Sequence, residues 1–462
     1  MRAPAPRTVY RAFLPLALLA LATAASAQTP LDLPPSEARG SVLLRCGTVH
    51  TVTGGVLENT DVLVEDGKIR RIGRDLRAPR GVETVDVTGK HVTPGIIDAH
   101  SHIALSSVNE ATNPVVAEVQ MRDALDPTDV SIYRALAGGV TTIHTMHGSA
   151  NPVGGENETI KLRWGTLDPD GLVFEGAPRT IKFALGENPT RVHGRGRGVR
   201  PSTRMGVEQV FREAFTEARA YAEAQAAARE ARRPLPPYDR RLETLAGILS
   251  GEVLVHCHSY RADEILMLMD VFRDFGVERL TFQHANEAFK VAPELAAFGA
   301  DASVFSDWGS YKFEVYYSTA YNAAVLNENG VRTSINSDDA GLIRYLYHEA
   351  AKTQRYGDLS DDEALAMVTI HPAYQLGIDD RVGSVEVGKD ADLAVFAEHP
   401  LSVYTRVDMT FVDGVARFDR ARDGDDQRVF VDPEDEIAEV LLGGHTESCM
   451  RGVALEDLSH SH

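Results

Sequence analysis

Residues 94–102 read PGIIDAHSH. A turn-prone Pro-Gly pair opens a short apolar β run, and the run closes on two histidines. Side chains two positions apart on a strand project to the same face. His100 and His102 therefore present two imidazoles to one side of a strand end, where they can share one metal ion. Taken alone the pair is a weak signal, because single histidines more often serve as hydrogen-bonding core residues. The surrounding chain gives it weight.

From 94 to about 375, short β-branched runs alternate with helical stretches. The runs are GIIDAH, GVTTIHTM, RTIKFAL, EVLVHCH, LTFQHA, ASVFSD and VRTSINS. Alternating strands and helices over such a length predict a TIM-type (β/α)8 barrel. A doubly wound sheet is the alternative, but no Gly-rich phosphate fingerprint follows an early strand. An insertion near 194–240 breaks the rhythm. Within it, residues 205–233 are rich in Ala, Glu and Arg and predict a long helix ending before Pro234. A packed arm is its ordinary role, and a lid over the site is the functional alternative.

The barrel's catalytic rim lies at the C-terminal ends of its strands. Lys182, His256, His258 and His284 close or follow such runs, and Asp338 follows VRTSINS. Spacing against a repeat of ~31 residues per βα unit puts these positions on strands 1, 4, 5, 6 and 8. His144 and His147 flank the end of the second run and read as hydrogen-bonding rim residues. RVHGRGRGVR at 191–200 concentrates four arginines, which read as a solvated loop before a carboxylate site. Flanking the barrel, 41–93 and 376–418 are strand-like and turn-rich. Residues 28–40 read as a Pro-rich linker, and 419–462 as an acidic tail.

The whole chain has 462 residues, with 47 Lys+Arg against 67 Asp+Glu and a formal net charge of −20. That balance argues against a nucleic-acid partner, which needs a basic footprint. Three cysteines cannot build a disulfide scaffold. Cys257 would face away from the site, whereas Cys46 and Cys449 would pair only if folding brought them within reach. Residues 1–27 carry the marks of an export signal. Arg2, Arg7 and Arg11 precede the apolar run FLPLALLALA at 13–22, and Ala25-Ser26-Ala27 fits a cleavage site. The mature chain would begin at Gln28, three positive charges poorer, in the periplasm or outside the cell. The apolar run is short against the ~20 residues of a spanning helix, and no stable membrane insertion is expected.

The set resembles the metal-dependent amidohydrolase superfamily over about 41–418. PGIIDAHSH is similar to its first-strand motif, ALAGGVTTI to its approach to strand 2, and GSVEVGKDADLAVF to its C-terminal signature. The chain looks closest to the imidazolonepropionase-like branch, which includes secreted prolidase-like members. The resemblance implies a distorted barrel at 94–375 and a small discontinuous β-sandwich from 41–93 and 376–418. It implies one or two divalent metal ions, most often zinc. His100 and His102 would bind the more buried ion. Asp338, favoured over Asp339, would bind it too and act as general base. His284 would bind a second ion, and the match of HSYRADEI favours His258 over His256 as its companion.

An ammonium has no lone pair and cannot ligate a metal. The resemblance implies that Lys182 reacts with carbon dioxide to give a carbamate bridging both ions; a lysine paired with a carboxylate is the alternative. Lys161 is the weaker candidate for the carbamate. Tyr260 would polarise the substrate carbonyl. The expected reaction is hydrolysis of an amide or cyclic amide C–N bond in a small molecule, such as an Xaa-Pro dipeptide or an N-acyl amino acid. A mononuclear imidazolonepropionase-like or deaminase-type enzyme is the alternative. A catalytically inactive binding protein would lack several ligands that stand here. Relatives of this kind often form homo-oligomers.

Overall fold

The computed structural model describes residues 37–423. The export signal expected at 1–27, most of the linker, the acidic tail beyond 423 and Cys449 lie outside the described residues. Among the described residues the strands form two eight-stranded sheets.

The first sheet contains β1 (Val42–His50), β2 (Val56–Glu65), β3 (Lys68–Gly73), β4 (Glu83–Asp86) and β5 (His91–Pro94). The chain then leaves for the barrel. The barrel strands are β6 (Ile96–Ser101), β7 (Val140–Thr145), β8 (Val153–Lys161), β9 (Arg179–Ala184), β10 (Val253–Ser259), β11 (Leu280–His284), β12 (Asp301–Val304) and β13 (Thr333–Ile335). On its return the chain adds β14 (Leu393–Phe396), β15 (Val407–Val412) and β16 (Val415–Asp419) to the first sheet. Its order is β16-β15-β14-β5-β1-β2-β3, with β4 also on β1. β1 serves three partners because it bends. Its first half pairs in parallel with β4 and its second with β5, and between them Cys46 turns at φ 61°. A bulge of this kind re-aims a strand without ending it. Val42, Leu44, Val62, Val64 and Phe411 fill the core of this sheet.

In the barrel, strand order follows chain order from β6 to β13. The distortion is located at the third strand. β8 runs antiparallel to both β7 and β9, so the second and third strands are joined without a crossover helix. Every residue of β6, β7, β10 and β11 is buried, as strands covered on both faces must be. Close approach of β6 and β7 requires Gly95, since a Cβ there would collide with Thr141. The first and last strands meet through polar groups. Asp338 N–H donates to the His100 carbonyl at 3.1 Å, and Ser337 N–H to Asp98 Oδ1 at 3.2 Å.

The Ala-rich insertion forms a helix, Arg204–Glu230. Thr203 caps it by accepting from Gly206 N–H. Val207, Val210, Phe211, Ala214, Phe215 and Ala218 recur at helical spacing and are buried. Phe211 stacks on Phe183 of β9 at 5.2 Å, and Phe215 packs on Phe272 at 5.7 Å. Each such buried ring contributes about 2–3 kcal/mol. The stripe is thus committed to the outer wall of the barrel, the packing of an arm.

Candidate metal centre

β6 brings His100 into the barrel interior, with His102 just beyond its end. His100 Nδ1–H faces Gln283 Oε1 at 3.1 Å, and His102 Nδ1–H faces the Met146 carbonyl at 2.8 Å. An imidazole that donates from Nδ1 keeps its lone pair on Nε2. Both Nε2 atoms converge on Asp338 Oδ1, at 3.5 Å from His100 and 3.3 Å from His102. One ligand atom from each of these three buried residues lies within 4.8 Å of the others.

Asp338 reaches the site just after β13, with a left-handed φ of 48°. Its two carboxylate oxygens are buried and accept no hydrogen bond. His284 Nε2 stands 3.7 Å from Asp338 Oδ2. The ring nitrogens of His258 and His284 are likewise buried without a hydrogen-bond partner. The His258 and His284 rings lie 4.9 Å apart, and the His100 and His284 rings 4.5 Å apart. A buried carboxylate that accepts no hydrogen bond, near the His258 and His284 ring nitrogens that make none, is costly unless a cation is shared among them. Burial, followed by neighbouring positive groups, holds His100, His258 and His284 well below the usual imidazole pKa. Neutral imidazoles are the form that binds metal. The donor set therefore fits a divalent ion.

His284 reaches this set against strand alternation. Phe282 faces the outer hydrophobic core and Gln283 the interior, so His284 would turn outward on a regular strand. Left-handed turns at His284 (φ 65°) and Ala285 (φ 41°) swing it back. Non-glycine residues held there mark a site that surrounding structure over-determines.

Lys182, on β9, is fully buried, with Nζ 3.0 Å from His100 Nε2. Lys161 does something else. Its Nζ lies 2.8 Å from Asp390 Oδ2, 3.1 Å from Asp392 Oδ2 and 2.6 Å from Asp413 Oδ1. The Asp-bearing C-terminal motif is thus a socket for Lys161, which removes that lysine from the metal site.

Of the two β10 histidines, His256 sits one layer deeper. Its Nδ1 faces Gln283 Nε2 at 3.0 Å and its ring packs on His144 at 4.5 Å. His144 in turn bonds Thr180 Oγ1 at 2.7 Å, and His147 Nε2 accepts from Glu110 N–H at 2.9 Å. His258 occupies the upper layer beside His284. Tyr260 packs edge-on against His258 at 4.5 Å and stacks on His284 at 5.7 Å. The stretch 191–200, expected as a solvated loop, instead continues the helical turn Glu187–Thr190 through a π-helical turn, Arg191–Arg195; the arginines at 195, 197 and 200 are exposed.

Two supporting residues escaped the sequence reading. Gln283 bridges His100 and His256. Asp98 accepts from the N–H groups of both His100 and Ser337. Burial pushes the Asp98 carboxyl up to about 7. PGIIDAHSH contains Asp98 and LTFQHA contains Gln283, but nothing in either run marks a support for a neighbouring ligand.

Comparison with known proteins gives this arrangement a context. Residues 318–445 match the model of the amidohydrolase family. The solved structure of an amidohydrolase from Thermotoga maritima MSB8 is 35% identical, covers 82% of this chain and 100% of its own, and superposes with a TM-score of 0.77. Amidohydrolase tasK of Hapsidospora irregularis is 33% identical over 393 residues, 78% of this chain, which spans only 40% of that relative's length. A 5-methylthioadenosine/S-adenosylhomocysteine deaminase of Symbiobacterium thermophilum is 24% identical over 402 residues, covering 78% of this chain and 86% of its own. On these grounds the chain belongs to the amidohydrolase family, a family of hydrolases.

Proposed function

We propose that this protein is an exported, metal-dependent hydrolase that cleaves an amide or cyclic amide C–N bond in a small molecule. One observation carries the reading: Asp338, His258 and His284 hold buried ligand atoms with no hydrogen-bond partner, beside the convergent His100 and His102. Those five residues would hold the metal. When bound, a divalent ion supplies Lewis-acid polarisation and a water whose pKa falls toward about 7.

The chain's own residues do the rest. Asp338 stands at the meeting point of the ligand set, positioned to take a proton from the attacking water and return it to the leaving nitrogen. Tyr260, packed against His258 and His284, would donate its hydroxyl to a substrate carbonyl. The buried walls exclude bulk water and strengthen each of these interactions. Lys182 as a carbamate would bridge two ions; its amine would add carbon dioxide and release one proton. Zinc is the ion to test first, and Xaa-Pro dipeptides and N-acyl amino acids are the first substrates. Export rests on the arginine-flanked apolar segment at 1–27.

A second reading, a one-ion enzyme of the deaminase or imidazolonepropionase kind, has its own support. The ligand atoms gathered within 4.8 Å are those of His100, His102 and Asp338, and Lys182 contacts His100. Metal analysis of gently purified protein decides between them. Two ions per chain with a carbamate on Lys182 support the first, and one ion with an unmodified lysine supports the second. A dipeptide, N-acyl amino acid and cyclic-amide library then tests the reaction. No bound metal and no turnover in any class would overturn both.

A further inference from the structure

Three histidines meet away from the barrel centre. His50 ends β1, His91 opens β5, and His399 lies in the loop after β14. Thr48 pairs with His91 across β1 and β5, so His50, two residues on, projects from the same face. The three ring centres stand 5.1, 5.2 and 5.4 Å apart. A fourth group comes from the barrel side, where Asp361 opens the helix Asp361–Ala366. His399 Nδ1 accepts from Leu401 N–H at 3.3 Å, which leaves its Nε2–H to donate to Asp361 Oδ2 at 3.2 Å. Three imidazoles and a carboxylate thus converge from four separate segments.

The shortest contact joins two imidazoles. His50 Nε2 and His91 Nδ1 lie 2.8 Å apart. Two nitrogens so placed share either one proton or, with both lone pairs turned inward, one ion. Tetrahedral zinc, with bonds of about 2.0–2.1 Å, spaces its nitrogens by about 3.3 Å, so the pair needs to open by only about half an ångström. Each imidazole then carries its one proton on the outer nitrogen, and no proton is released.

The charge around the pair suits a cation. Burial, followed by neighbouring imidazoles, brings His50 down to about 4 and His91 below the usual imidazole value, so both are neutral at pH 7. The fixed charges that reach them are carboxylates, Asp361 for His50 and Glu58 for His91. Neutral nitrogens ringed by negative charge draw in a metal ion. Imidazole donors suit zinc, nickel and copper. His91 is half-buried and the His399 side chain is 36% exposed, so the cluster is open to solvent. Its ligand atoms are gathered less tightly than those of His100, His102 and Asp338, and weaker binding than at the barrel centre follows.

We propose that this cluster is a second metal site, for a divalent transition ion, in which His50 and His91 supply nitrogens and Asp361, held by His399, closes the shell. A carboxylate ligand is itself commonly held by a hydrogen bond of this kind. The ion pins the first sheet to a helix of the barrel. The site stands apart from the barrel centre and does not depend on the hydrolase reading.

Calorimetric titration of nickel(II) into the purified protein, with its own metal retained, tests the site. One site per chain with a dissociation constant of about 1–10 μM is expected beyond any nickel taken up elsewhere. His91→Asn should weaken it by at least about tenfold. Uptake at the barrel centre or by other histidines persists in that variant, so the difference between the two proteins identifies the site. His399→Gln, at a more exposed position, replaces His91→Asn if the latter fails to fold, with a weakening of about threefold or more expected. Nickel should also raise the urea midpoint of the parent more than that of the variant, because the ion joins sheet to barrel. No such site in the parent, equal affinity in parent and variant, or equal midpoint shifts overturns the proposal.

Discussion

Asp338 donates its backbone N–H to the carbonyl of His100 at 3.1 Å. The bond joins the last barrel strand to the first, and it sets the Asp338 carboxylate against the two β6-derived imidazoles. One contact thus both ties the segment after the last barrel strand to the first strand and assembles the candidate centre.

Asp338→Asn tests the proton role. The amide keeps one coordinating oxygen but cannot accept a proton at neutral pH. Metal content measured by mass spectrometry should be retained. Turnover on the best substrate from the library should fall by at least about 100-fold. Near-parental turnover would remove Asp338 as the base.

Gln283→Leu tests the support of His100. The change is close in volume, and it removes the acceptor of His100 Nδ1–H and the donor to His256 Nδ1. Metal affinity from chelator competition should weaken by about 10–100-fold, with Asp338 untouched. Unchanged affinity would mean that packing alone orients His100.

Lys161→Met separates the two buried lysines. Burial opposes the Lys161 charge, but Asp392, Asp413 and Asp390 outweigh it and raise its pKa. Removing it strips Asp392 of its cation, while Asp413 keeps Arg163 and Asp390 keeps Lys68 and Arg381. Denaturant unfolding should show a loss of about 3–5 kcal/mol, while metal stoichiometry in the folded fraction stays unchanged. A loss of metal without a loss of stability would return Lys161 to the site.

His50 predicts an acid-sensitive junction within the first sheet. Its Nε2 and His91 Nδ1 lie 2.8 Å apart, and His399 packs edge-on at 5.2 Å. Burial first, then His91 and His399, bring His50 down to about 4, with Asp361 opposing. An unfolded histidine takes its proton near 6.5. The folded form therefore binds fewer protons between about 4 and 6.5. This contribution to stability is complete above that window and is lost as pH falls through it. The slope approaches ~1.4 kcal/mol per pH unit at most. His50→Asn should flatten it in urea melts taken from pH 4.5 to 7, and an unchanged slope would assign the effect to another group.

Much of the fold was legible because its signals are local. β-branched runs separated by helical stretches predict the barrel strands, and the apolar spacing within 205–233 predicts the helix Arg204–Glu230. The approximate positions of His100, His102, Lys182, His258 and Asp338 at strand ends follow from the same reasoning. Lys161 and Lys182 show where it stops. Each is buried near a strand end, yet one meets three carboxylates and the other an imidazole. The neighbour of Lys182 lies 82 residues away and those of Lys161 lie 229 to 252 residues away, which no local pattern records.

By itself, then, the sequence determined which segments become strands and helices and which residue types arrive at the barrel rim. Hydrophobic periodicity and strand alternation act over a few residues, so they can be read along the chain. Only the tertiary structure decided that β8 runs antiparallel, that left-handed turns bring His284 inward, and that His50, His91 and His399 meet in one cluster. Each of those outcomes depends on contacts between distant segments, where a carboxylate or a neighbouring strand outweighs the local preference.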